Sequence, residues 1–67
     1  MKIDVRGLSC PEPVLMVMDA MDENPGAQLI VLSDAAHTRD NIVKLAQTEG
    51  RPVTVTEKGR NYQIQID

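Results

Sequence analysis

The chain has 67 residues with seven basic and ten acidic side chains, a formal net charge of −3, no Phe or Trp, and Tyr62 as its one aromatic residue. A chain this short makes one domain, residues 1–67, that buries only about 60% of the surface its unfolded form exposes, so its thin core must come from Ile, Val, Leu, Met and Ala. Few, scattered basic residues argue against nucleic acid or an anionic membrane as partners, one cysteine and one histidine exclude an internal disulfide and a zinc site, and no apolar run is long enough for a membrane span or signal peptide, so the expected setting is cytoplasmic.

In chain order, Lys2–Arg6 (KIDVR) alternates polar and apolar residues and reads as a strand. Pro11–Glu23 (PEPVLMVMDAMDE) reads as a helix, with Val14, Val17, Met18 and Met21 on its inner face. Pro11 and Pro13 are acceptable in a first turn, where the missing amides have no intrahelical partner. Asn24-Pro25-Gly26 stops this helix, and Ala27–Ser33 is a strand whose continuous apolar centre suggests a central place in a sheet. A second helix is expected over Thr38–Glu49, capped by Thr38, stopped by Gly50 and facing inward with Ile42, Leu45 and Ala46. Arg51–Glu57 and Arg60–Ile66 alternate cleanly, and Lys58-Gly59 closes them into a hairpin. Val53, Val55, Tyr62, Ile64 and Ile66 should face in, while Thr54, Thr56, Asn61, Gln63 and Gln65 face out.

The order βαβαββ with right-handed crossovers predicts an α+β two-layer sandwich, both helices on one face of the sheet. The other face is open to solvent, which accounts for its Thr, Gln and Asn rows. Val14–Met18 is apolar at five successive positions, more than one helix face needs, so Leu15 and Met16 are expected to be partly exposed. Ile30 and Leu32 point onto the open face.

This topology gathers three loops at one sheet edge, where ligand sites of open α/β sheets also form. The first loop brings Cys10, the second brings Asp34, His37, Thr38 and Arg39, and the hairpin tip brings Lys58 and Arg60. Cys10 precedes a helix, whose unpaired amides and positive dipole end favour a thiolate. Pro11 and Pro13 donate no amide and stiffen the entry, leaving Glu12 and Val14 as the nearest donors, while the Glu12 carboxylate acts in the opposite sense. A lone cysteine is commonly just a small buried hydrophobe, but a loop end, a helix start and flanking prolines together point to a reactive thiol. Cys10 with His37 could also be a nucleophile–base pair, although a solvated loop histidine is the simpler reading. Asp34 fits a turn or a cap for the second helix, and Arg39, Lys58 and Arg60 read as surface charges with a secondary option of contacting an anionic sulfur species or an acidic partner.

The stretch D-x-R-G-L-S-C-P-E-P-V, Asp4 to Val14, strongly resembles the signature of the TusA (SirA-like) sulfur-carrier family, and the resemblance continues through "SDAAHTRDNI". "NIVKLAQTEGRPVTV" is most similar to the YedF-like branch, linked to selenium metabolism. The resemblance implies a four-stranded mixed sheet of order 1-2-4-3. It further implies that Cys10 accepts sulfur as a persulfide from a cysteine desulfurase or rhodanese-type donor and relays it to an acceptor protein, in tRNA thiolation or other sulfur or selenium metabolism. No cofactor or metal is implied. The alternatives from other classes are a non-catalytic interaction or regulatory domain and a selenium-handling protein.

Overall fold

Six elements follow one another in the computed structural model, which describes all residues from Met1 to Asp67. They are β1 (Lys2–Asp4), α1 (Glu12–Glu23), β2 (Leu29–Ser33), α2 (Ala36–Thr48), β3 (Val53–Lys58) and β4 (Asn61–Ile66). The strands form one mixed sheet in the order β1-β2-β4-β3. β1 runs parallel to β2, and β4 runs antiparallel to both β2 and β3. The carboxyl ends of β1, β2 and β3 therefore share one edge with the start of β4.

Register explains the two faces. Ile3, Val31, Ile64 and Val55 stand in one row, and Leu29, Ile66 and Val53 in the next. Because side chains alternate along a strand, these rows point to the same face, where α1 and α2 pack against each other and α2 lies over β4 and its two neighbours. Ten buried residues form the core: Ile3, Val5, Val17, Ala20, Leu29, Val31, Ile42, Ala46, Ile64 and Ile66. Ile30 and Leu32 are half-buried on the opposite, uncovered face, as the alternation requires.

Several local details depart from the sequence reading. β1 stops at Asp4 rather than Arg6, because the Asp4 carboxylate accepts the Arg6 amide at 3.0 Å and turns the chain. On α1 the buried positions are Pro13, Val17 and Ala20, with Val14 and Met21 half-buried, whereas Met18 is 41% exposed. The helix has turned its smallest side chain, Ala20, toward the second layer, and Met18 stays outside. Leu15 and Met16 are exposed, as the surplus of apolar residues suggested.

α2 begins at Ala36, two residues before the expected start, and Thr38 does not cap it. The Ser33 hydroxyl explains the earlier start. It accepts the Ala35 amide at 3.3 Å and donates to the Ala35 carbonyl at 3.2 Å, so the turn closes ahead of Thr38 and the threonine side chain is buried inside the first helical turn. The hairpin turn is Gly59-Arg60, not Lys58-Gly59, since Lys58 pairs with Asn61. Gly59 has φ +63 and no other residue type in the chain has positive φ, which fits a two-residue turn with glycine at its first central position. Val55 faces the helix layer as expected but remains 38% exposed, because β3 is the outermost strand.

Candidate functional site

The shared edge is built from three loops. In the first, the Val5 amide donates to the Leu32 carbonyl at 2.9 Å and completes the β1–β2 pairing. Arg6 then folds onto Asp4, with Nε 2.9 Å from Oδ1 and Nη2 2.8 Å from Oδ2. These contacts, the Arg6 side chain first and its backbone amide second, hold the Asp4 carboxyl down at about 2. The same bond from Asp4 is the main reason that the Arg6 guanidinium is raised, with a smaller contribution from the charge of Asp34. Gly7 follows in the left-handed region, and its amide donates to Asp34 Oδ2 at 3.1 Å. Leu8 packs against the core.

Cys10 is exposed, lies just before the N-cap residue Pro11, and joins it through a cis peptide bond. The amides nearby are distributed differently from the expectation. Glu12 donates to the Ser9 carbonyl at 3.0 Å, and Leu15 donates to the Pro11 carbonyl at 3.1 Å. Glu12 is therefore not a free donor for the sulfur. With Pro11 and Pro13 lacking amide hydrogens, Val14 is the first-turn residue whose N–H makes no backbone hydrogen bond. Pro13 itself is buried and fixes the start of α1 against the core.

The second loop and hairpin bring the remaining candidates to this edge. Asp34 does not cap α2; its carboxylate accepts the Gly7 amide instead. His37 is exposed on the first turn of α2, and no hydrogen bond joins it to Cys10. Arg39 is committed locally: its Nε lies 2.9 Å from Asp40 Oδ1, and its guanidinium sits 4.6 Å from the centroid of the Tyr62 ring. The bond to Asp40 is the main cause of its raised pKa. Lys58 Nζ donates to Gln63 Oε1 at 3.1 Å, and Arg60 is exposed at the hairpin turn.

Three features were not visible in the sequence: the Gly7–Asp34 bond, the Ser33 turn and the Arg39–Tyr62 stack. The first and last join residues that strand order brings together, while the Ser33 turn is a local contact with Ala35. The one sizeable groove, about 470 Å³, lies elsewhere, between β1 and α1, and is lined by residues such as Ile3, Met16, Asp19 and Glu23. Cys10 thus stands on an open surface that a second protein can approach. No helix is long and apolar enough to cross a membrane.

Comparison with known proteins adds a lineage to this geometry. A family model described as "Sulfurtransferase TusA" matches residues 1–67. A proposed sulfur carrier protein of Methanocaldococcus jannaschii is 38% identical over 58 residues, which cover 85% of this chain and 77% of that relative. The crystal structure of a SirA-like protein of Desulfitobacterium hafniense superposes with a TM-score of 0.90 at 29% identity, covering 97% of this chain and 92% of that one.

Proposed function

Because this chain belongs to the TusA sulfurtransferase family, we propose that it is a sulfur carrier in which Cys10 bears the cargo as a persulfide. A donor protein presents a cysteine persulfide, Enz–S–SH. The Cys10 thiolate attacks its outer sulfur, the donor's S–S bond breaks as the new one forms, and the donor cysteine leaves as a thiolate. Cys10–S–SH results with no net oxidation or reduction, as in other exchanges at divalent sulfur. The reverse chemistry at an acceptor cysteine discharges the carrier.

The observation that carries this reading is the placement of the chain's single cysteine. Cys10 is exposed, precedes a helix, and shares an edge with the loops after β2 and β3. A carrier has to meet two partners in turn, and an open surface suits that better than a deep pocket. Pro11 and Pro13 stiffen the approach to α1, and the Val14 amide and the positive helix end favour negative sulfur, while the Glu12 amide is taken by the Ser9 carbonyl. His37, Arg39, Lys58 and Arg60 lie on the loops and helix start of the same edge, with Thr38 buried behind them.

The partners are a sulfur-donor protein, such as a cysteine desulfurase or a rhodanese-type enzyme, and a sulfur-acceptor protein in tRNA thiolation or other sulfur or selenium metabolism. The setting is the cytoplasm, where a lone thiol stays reduced. Incubation with a cysteine desulfurase and cysteine should add one sulfur atom to the intact mass of the chain, reversibly with reductant. Cys10→Ser should abolish the gain. Equal loading of both proteins would refute the assignment.

A further inference from the structure

The segment that carries Cys10 is held mainly by itself. Arg6 bonds to Asp4, the Leu8 amide reaches the Val5 carbonyl at 3.4 Å, and the Glu12 amide reaches the Ser9 carbonyl at 3.0 Å. Past Val5, one hydrogen bond ties the segment to another part of the sheet edge: the Gly7 amide to Asp34 Oδ2 at 3.1 Å, across 27 residues of sequence.

Asp34 is an unusual choice for its position, and Gly7 is set by its backbone. Asp34 lies just ahead of α2, where a carboxylate ordinarily caps the helix. Here the N-cap is Ala35, the first turn takes no side-chain cap, and the Ala35 amide is bound by the Ser33 hydroxyl. The carboxylate is released from the helix it precedes and given to the neighbouring loop. Gly7 has φ +78, and a Cβ placed on it would meet nothing within 4 Å. Glycine is therefore needed for its backbone conformation rather than for space. It also gives the chain a hinge shortly before the sulfur, since glycine has the widest conformational freedom of any residue.

We propose that Asp34 is a positioning residue for Cys10. Its carboxylate anchors the Gly7 hinge through a charge-assisted hydrogen bond and so fixes the point from which the loop presents its sulfur to a partner protein. The role rests on the reading of Cys10 as the sulfur-bearing residue. It acts by preorganisation: a loop already held in its productive geometry loses less freedom when a donor docks. Encounters with a small reagent need no such geometry and should be indifferent to the anchor.

The test compares wild type, Asp34→Ala and Asp34→Asn, with Asp22→Ala on the far part of α1 as a control. Hydrogen exchange at the Gly7 amide should accelerate about tenfold or more in Asp34→Ala, as expected for losing one hydrogen bond to a charged acceptor. Asp34→Asn should restore most of the protection, because its side-chain carbonyl still accepts. Loading of Cys10 by a cysteine desulfurase should slow in Asp34→Ala and recover in Asp34→Asn, while alkylation by iodoacetamide stays at the wild-type rate in every variant. Unchanged Gly7 exchange in Asp34→Ala, or loading unaffected by that substitution, would overturn the positioning role alone. A wild-type chain that never loads would instead remove the carrier reading, and the positioning role with it.

Discussion

Arg6 turns its guanidinium back onto Asp4, and its own backbone amide donates to the same carboxylate, so one residue supplies every bond that Asp4 accepts. The Asp4 carboxyl consequently lies at about 2 instead of its usual 3.8. A carboxyl lowered in the folded state contributes stability above its unfolded value and loses that contribution as the pH falls through the folded one. Denaturant midpoints measured between pH 3.8 and about 2 should therefore fall less steeply for Asp4→Asn than for wild type. Parallel curves across that window would mean that the pair does not persist in solution.

The hairpin offers a test of where the sheet ends. Ile64 and Val55 are register partners, yet Ile64 is fully buried and Val55 is 38% exposed. Truncating a buried Ile to Ala costs about 2–5 kcal/mol, a large share of the ~5–15 kcal/mol that holds a typical domain together. Urea denaturation should find the midpoint of Ile64→Ala sharply lowered and Val55→Ala within about 1 kcal/mol of wild type. Similar losses at both positions would place β3 inside the packed layer rather than at its margin.

Gly59 isolates a backbone effect. Its φ is +63, and an added Cβ would meet nothing within 4 Å. Gly59→Ala should cost about 1–2 kcal/mol from the left-handed conformation alone, and Gly59→Asn less, since asparagine tolerates that region. A Gly59→Ala chain as stable as wild type, judged by thermal melting, would show that the two-residue turn adopts another form.

Exposure of Cys10 makes its own prediction. A thiol on an open surface should react with Ellman's reagent nearly as fast in the folded chain as in urea, whereas a sealed one waits for unfolding. Strong protection in the native state would contradict the placement of the side chain.

How much of this was legible beforehand depends on the kind of signal. Alternation from Val53 to Ile66 wrote the hairpin faces plainly, because a period of two leaves each residue one side. The five-residue apolar run Val14–Met18 carried no such phase. Any of its members could have faced inward, and weakly hydrophobic Ala20 gave little hint that it, rather than Met18, would be buried. Thr38 had the chemistry of a cap, but Ser33, at the end of the preceding strand, closed the turn first. The position of Cys10 before a helix was readable from local pattern. Its setting was not, because the Gly7–Asp34 bond and the stacking of Arg39 on Tyr62 arise only once β1, β2 and β4 lie side by side.

The most direct test of the account follows a single sulfur atom. The chain is loaded by a desulfurase with isotopically labelled cysteine, separated from the enzyme, mapped by peptide mass spectrometry, and then offered to a protein thiol acceptor. The account predicts one labelled sulfur on the peptide containing Cys10, leaving that peptide as the acceptor gains it. Label that never reaches the Cys10 peptide, or that reaches the acceptor equally well through Cys10→Ser, would contradict it.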